Sequence, residues 1–418
     1  MSAGVNAVRV ARLAGIAAGT GLLSAGLLWV AVLLAALPGR AESLEISGYA
    51  GIEPRLFFHS PTFAGQIHDN ISAVLQPEFY SEWNAGRDSV LFTPFARLDS
   101  ADGRRTHLDV RELLYQRVAP DWELRAGIGK VFWGVAESEH LVDIINQTDA
   151  IEDVDGEDKL GQPMLNLALI RDWGTVDLFI LPGFRERSFA GSGGRLRQSL
   201  VVDTNNSSYE SSAGDRHVDY ALRWSQSMAQ WDIGLSHFYG TSRAPRFVLD
   251  TRRPGPPILI PRYDLIHRSA LDLQATLDNW LWKLELIHES GQADSHVAWV
   301  GGFEYTLTGF AGTRADLGLL AEHLFDSRGH AGPNPFQNDL FAGLRLALND
   351  VQSSEVLAGV IQDLRGDASL FSIEASRRLG DRWKLELEAR LWSRVKQHDP
   401  FKAIARDDYI QFSVLRYF

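Results

Sequence analysis

The chain has no cysteine, only three methionines, and no apolar run after residue 37 long enough to cross a membrane as a helix. The first absence excludes a disulfide framework, a thiolate metal centre and a cysteine nucleophile. The last confines any helical anchor to the amino end. Positive charge is also short, with 41 Lys and Arg against 53 Asp and Glu and a formal net charge of −12. An acidic chain argues against nucleic acid as a partner, because phosphate binding rests on basic surface. Catalytic signatures are missing from residues 42–418, which hold no Gly-x-Ser-x-Gly, His-Glu-x-x-His or Gly-Lys-Ser/Thr run. Ser138, His140 and Asp143 lie too close together on one segment to be read as a triad. No enzyme and no cofactor is expected. Asp153-Val154-Asp155-Gly156-Glu157-Asp158 offers carboxylates to a hard cation but lacks the spacing of an EF-hand loop, so no metal site is assigned.

What is present starts with a leader. Arg9 and Arg12 precede an apolar run over residues 13–37, and Pro38-Gly39-Arg40-Ala41 follows. Small residues at the last and antepenultimate positions predict a signal peptide over residues 1–41, cut after Ala41. Residues 42–418 then form one unit.

From Leu44 onward the apolar residues recur with period two, which places them on one face of an extended strand. Trp383, Leu385, Leu387, Ala389 and Leu391 alternate with Lys384, Glu386, Glu388 and Arg390. Trp280, Trp282, Leu284 and Leu286 alternate with Lys283 and Glu285; Leu340, Ala342, Leu344 and Leu346 oppose Asp339 and Arg345. Many long strands with one polar face call for a wet interior. The links between them alternate in length. Short ones fall at 84–88, 119–121, 174, 228–230, 278–279, 311–314, 349–351 and 380–382. Longer ones fall at 59–70, 100–105, 137–163, 185–216, 242–264, 291–295, 326–335 and 395–406, while 365–367 is short where a long link is due. The count is about eighteen strands, with sixteen as the alternative. An even count closes an antiparallel sheet and removes its edges. The fold class is therefore all-β, a closed antiparallel transmembrane barrel wide enough for an aqueous channel. The 37 glycines and 12 tryptophans suit tight turns and aromatic belts.

The final strand, residues 407–418, places Ile410, Phe412, Val414 and Phe418 on one face and Gln411, Ser413 and Tyr417 on the other. It resembles the C-terminal strand of Gram-negative outer-membrane barrels, which implies that Phe412, Val414 and Phe418 form an assembly signal. A second resemblance lies in Gly129-Lys130-Val131-Phe132-Trp133-Gly134 followed by Asp143, Asn146 and Asp149. It is similar to a run in porin-like outer-membrane proteins of proteobacteria, many of them uncharacterised, although Gln147 stands where proline is often seen. It covers about thirty residues, and no substrate transfers with it. Bottom-up, Gly127 and Gly129 reduce bulk on a strand expected over residues 122–136 and let the backbone of the following loop lie close to the wall.

The third long link, 137–163, holds nine acids and one base, Lys159. Glu137, Glu139, Asp143, Asp149, Glu152, Asp153 and Asp155 are the candidate constriction residues, because the same link carries Leu141, Val142, Ile144 and Ile145, which a solvated loop does not need. General porins fold their third loop into the lumen. Asp109, Arg111, Arg125, Arg223, Lys283, Glu285, Arg345 and Arg390 are the expected lumen wall, nearly balanced in sign, so that the acidic link sets a mild preference for cations. Arginines in 185–216 and 242–264, among them Arg195, Arg243, Arg246 and Arg253, could meet lipopolysaccharide phosphates, anionic solutes or the acidic link. The expected function is a porin-like outer-membrane channel for small hydrophilic solutes or ions. An export conduit for an anionic polysaccharide and a barrel enzyme acting on lipids are the rival readings. The implied partners are outer-membrane lipids, lipopolysaccharide, the barrel-assembly machinery and two further copies in a homotrimer.

Overall fold

The computed structural model describes residues 43–252, 255–329, 332 and 334–418. The expected signal peptide, residues 1–41, and Arg253 lie outside the described residues. Strands are numbered in chain order. The wall begins with β1 (Ser43–Phe57), β2 (Asn70–Trp83), β3 (Asp88–Asp99), β4 (His107–Val118), β5 (Trp122–Gly129), β6 (Gln162–Arg171) and β7 (Gly174–Pro182). A short strand β8 (Ser208–Tyr209) stands apart, and β9 (Val218–Met228) and β10 (Trp231–Thr241) rejoin the wall. Next come β11 (Arg246–Asp250) and β12 (Ile258–Tyr263), again apart. The wall is completed by β13 (Leu265–Leu277), β14 (Trp280–Gly291), β15 (Ala293–Leu307), β16 (Asp316–Asp326), β17 (Asn338–Ala347), β18 (Glu355–Asp363), β19 (Ser369–Leu379), β20 (Trp383–Ser393) and β21 (Tyr409–Tyr417).

The main sheet has 18 strands, each antiparallel to its neighbours, and β1 pairs with β21 through Ile52↔Val414 and Leu56↔Ile410. That seam closes the sheet, so every wall strand has two partners and no edge is left to solvent or lipid. Alternation sends one set of side chains outward. Leu165, Tyr220, Leu222, Leu235, Trp282, Leu319, Leu344, Phe371, Phe412 and Val414 are all exposed. An apolar outer face is what a bilayer accepts and water does not. Trp83, Trp122, Trp173, Trp231, Trp280 and Trp383 sit at strand ends or turns on the rim with the short links, where an aromatic girdle meets the membrane–water interface.

The longer links share the opposite rim, with two differences from the expected pattern. The link at 291–295 is not long: one residue, Gln292, separates β14 from β15. Gly291 makes the reversal possible, because its φ of +111° favours glycine and a Cβ there would run into the Leu265 carbonyl. The links 185–216 and 242–264 are not irregular throughout. They contribute β8, β11 and β12 to a second, three-stranded sheet, with β11–β12 antiparallel and β12–β8 parallel. Tyr263 is packed between Phe184 and Tyr209 at ring separations of 4.8 and 5.5 Å, which ties the two links together.

The expected strand over residues 122–136 ends early, at Gly129. Residues 130–161 leave the wall and run inside the barrel, so the link placed among the external loops at 137–163 is an internal segment, folded inward as its constriction residues require, and it begins earlier than expected. Gln162 and Pro163 already belong to β6. Gly127 has φ +136° and its missing Cβ makes room for the Leu113 carbonyl of β4. It serves the neighbouring strand and not the loop, contrary to the expectation for that glycine.

Candidate functional site: the internal loop and the chambers beside it

The loop is closed at its neck by one side chain. Asn146 Nδ2 donates to the Gly129 carbonyl at 2.9 Å and the Leu160 carbonyl at 2.8 Å, and its Oδ1 accepts from Val131 N at 2.8 Å. A buried amide with three partners fixes both ends of the loop to each other. From this neck, Trp133, Leu141, Val142, Ile144 and Ile145 enter a buried cluster with Phe179, Phe238, Ile266, Ile287, Val300 and Leu324 of the wall. The apolar residues of the link thus have a seat. Each fully buried aliphatic side chain there contributes about 1.5–3 kcal/mol of transfer free energy.

Two wall carboxylates hold the loop's main chain. Glu285 of β14 is fully buried and accepts from the amides of Val135 (2.7 Å), Ala136 (3.0 Å) and Val142 (3.1 Å). Glu322 of β16 accepts from the amides of Glu137 (2.9 Å) and Ser138 (2.8 Å), and from Ser138 Oγ at 2.6 Å. Each carboxylate replaces its hydration shell with fixed donors, which offsets the penalty of burying the charge. Cations of the wall and of its links take the loop's carbonyls in return. Arg268 of β13 donates to Leu141 O at 3.0 Å, and Arg243 donates to Ile145 O at 2.9 Å. Arg105 donates to Glu152 O at 2.8 Å.

The loop's acids meet wall cations on several strands. Asp149 pairs with Arg111 of β4 at 2.7 Å and Asp153 with Arg55 of β1 at 2.9 Å. Glu152 accepts from Arg97 of β3 at 3.0 Å, and Asp155 accepts from Arg390 of β20 at 2.8 Å. Glu137 binds Arg345 of β17 and lies 3.7 Å from Lys283 of β14. Asp143 meets Lys159 within the loop at 3.1 Å, and Glu139 accepts from Asn334 at 2.8 Å. The seven candidate constriction residues are therefore all on the internal segment, but most are occupied by basic partners. Among the wall candidates, Asp109 bridges Arg111 and Arg185, Arg125 pairs with Glu123, and Arg223 pairs with Asp272.

Burial and pairing split the loop's titration. Burial pushes Glu139 up to about 8, and burial with the neighbouring Glu152 and Asp153 charges pushes Asp158 up to about 7. Burial raises Asp155 as well, reinforced by the charge of Asp153. Burial opposes ionisation of Asp153 and Asp149 too, yet Arg55 and Arg390 hold the first, and Arg111 the second, below the usual carboxylate range. Nine acids in the sequence thus amount to much less than nine free negative charges in the passage.

The serine, histidine and aspartate of the loop stay apart, and its clustered carboxylates are held by arginines. Ser138 binds Glu322, His140 lies 3.6 Å from Glu157, and Asp143 lies beside Lys159, so these three do not form a relay. His107, Asp149 and Glu152 bring donor atoms close enough to hold a metal ion, but Asp149 is engaged by Arg111 and Ser188 and Glu152 by Arg97. The Asp153–Asp158 segment likewise has Asp153 and Asp155 on arginines.

Two cavities flank the loop toward the short-turn rim. One, ≈ 360 Å³, is lined by the loop's Glu137, Asp155 and Glu157 and by Glu355, Glu374, Glu386 and Glu388 of β18–β20, with Arg345, Lys384 and Arg390 as its cations. The other, ≈ 320 Å³, lies between Phe132 and Trp133 of the loop and the inner face of β7, β9, β10 and β13. Glu322, Arg55, Arg97, Glu374, Glu386 and Phe132 were not among the residues expected from sequence. The alternation of β1, β3, β16, β19 and β20 puts the charged ones on the inner face, so their facing was legible, whereas their loop partners were not.

No protein-family model and no curated protein sequence matches the chain. Solved structures do. OccK3 (OpdO) of Pseudomonas aeruginosa matches with a TM-score of 0.53 at 10% identity, over 91% of this chain and 97% of that one. OccD3 (OpdP) of the same organism matches with a TM-score of 0.51 at 9% identity, over 91% and 92%. Identities this low speak for the fold alone, and the fold this chain shares with them is a large closed antiparallel β-barrel.

Proposed function

We propose that the chain is an outer-membrane channel through which small hydrophilic solutes and ions diffuse, with residues 130–161 as its constriction. The observation that carries this reading is a loop fastened to β1, β3, β4, β14, β16, β17 and β20, across the interior of the barrel. Glu137, Glu139, Asp143, Asp149, Glu152, Asp153 and Asp155 shape that constriction chiefly by anchoring it. Cation preference is assigned to the chamber beside it, where seven acids face three bases. Partly exposed Glu374 and Glu386 face water there, and a narrow wall of low dielectric strengthens their field.

An anionic polysaccharide fits poorly beside that chamber, and Arg55, Arg97 and Arg111 are already engaged by loop acids. The barrel's outer face is placed against lipid and lipopolysaccharide. Phe412, Val414 and Phe418 on the closing strand serve the assembly machinery, and three copies associate side by side. Planar-bilayer reconstitution tests the reading. Stepwise conductance with a reversal potential toward cations in a salt gradient is the expected result, and a folded barrel that never conducts would remove the channel assignment.

A further inference from the structure

The geometry points to a binding subsite for a neutral, ring-shaped, polyhydroxylated solute, a sugar, in the cavity between Phe132 and strands β7, β9, β10 and β13. The inference rests on the channel reading for its biological use, but its binding chemistry stands by itself.

Phe132 is the observation that calls for explanation. It is 60% exposed, yet it belongs to the internal loop and lines a cavity inside the barrel. Its neighbour Trp133 is 6% exposed and packs edge-on against Phe179 at 5.7 Å, as a structural residue does. Phe132 meets the His140 ring nearly at right angles, at 4.8 Å between centroids, and leaves ring surface toward the cavity. An apolar ring held out into a polar passage is stabilised by a solute that covers it. Its π face carries partial negative charge and attracts the polarised C–H groups on the face of a pyranose ring.

The opposite wall supplies what the hydroxyls need. Arg223 and Asp272 form a pair, with Arg223 donating to Asp272 Oδ2 at 2.9 Å. They lie across Gly234, where a Cβ would collide with both side chains, so the pair is pressed flat against the wall. Arg223 also stacks on Trp133 at 5.0 Å, which leaves its remaining N–H groups along the cavity side. A guanidinium beside a carboxylate presents donors and acceptors in one plane, the pattern that vicinal hydroxyls match. Thr175 and Ser225 add hydroxyls on the same lining. Charge decides the class of solute. Arg171 and Arg223 are balanced by Asp232 and Asp272, so this cavity favours no ion, in contrast to the acidic chamber on the other side of the loop. A volume of ≈ 320 Å³ suits a single sugar unit.

The test is calorimetric titration of the detergent-folded barrel with glucose, maltose and sorbitol, run beside bilayer conductance on the same preparations. Glucose and maltose should bind, and sorbitol, which has the hydroxyls without the ring face, about tenfold more weakly or not at all. Phe132→Ala should weaken sugar binding about tenfold, and Phe132→Trp should restore it. Heat-modifiability confirms that each variant is folded. No heat on adding either sugar to the wild type, equal binding of sorbitol, or unchanged binding in Phe132→Ala would each overturn the subsite. Sugar binding without any conductance would leave the subsite standing and remove the channel reading instead.

Discussion

Asp153 Oδ2 lies 2.9 Å from the guanidinium of Arg55, and both side chains are about 95% buried. This pair joins the inner loop to the strand that also closes the barrel against β21. Buried pairs of this kind lose more when one partner goes than when both do, because a lone buried charge has no water to replace its partner.

Removing one half of that pair should therefore be worse than removing both. Arg55→Met alone is expected to cost about 3–5 kcal/mol. Arg55→Met with Asp153→Leu should recover part of that loss. Denaturant unfolding in detergent, read as a double-mutant cycle, measures it. Additive single effects would show that the two charges do not act together.

The loop's seat should loosen as pH rises. Glu139, at about 8, and Asp158, at about 7, hold their protons in the folded state above the pH at which an unfolded carboxyl loses them. Their contribution is fully present below the ordinary carboxyl range and is lost as pH climbs through 7 and 8. Asp149 and Asp153 run the other way and fail only in strong acid, when their arginine-held carboxylates are protonated. Proteolysis or hydrogen exchange of residues 130–161 should be faster at pH 9 than at pH 6. Glu139→Gln should flatten that dependence, and an equally steep profile in this variant would assign the effect elsewhere.

Selectivity should follow the chamber acids more than the anchoring acids. Glu374→Gln with Glu386→Gln is expected to move the reversal potential toward anions, with the wild-type preference fading as salt screens the chamber. The comparison is Asp153→Asn, for which altered conductance and noise should dominate over a change in selectivity. The reverse ranking would place the selective point at the loop tip.

A charge on the outer face should block assembly. Phe412 is exposed on β21, opposite Leu387 of β20. Phe412→Arg carries a cost of about 2–4 kcal/mol if the position sits near the bilayer midplane. The heat-modifiable fraction recovered from outer membranes should fall sharply. Normal recovery would mean that β21 does not face lipid at this residue.

Much of the barrel was legible because period two and link length repeat. β20 shows this with five apolar residues against Lys384, Glu386, Glu388 and Arg390, and the expected count of eighteen strands matches the sheet. The end of β5 was not legible. Val131, Trp133 and Val135 keep the same alternation after Gly129, and only the tertiary contacts of Asn146 and Glu285 turn them inward. The apolar residues of the link announced a seat, and Val142 and Ile145 find it in the buried cluster they share with the wall. The fate of its acids was hidden, since Arg55, Arg97 and Arg390 lie far away in sequence and arrive only when the barrel closes.

Glu285 and Glu322 grip the loop by its backbone amides, which every residue except proline supplies. The scaffold thus recognises the path of the chain more than the identity of its side chains at these points. Residues such as Phe132, which touch neither carboxylate, can be exchanged for others while the loop stays where it is. The interior is in this sense a fixed mount with a replaceable lining, and a barrel of this design can be given a different solute preference without being rebuilt.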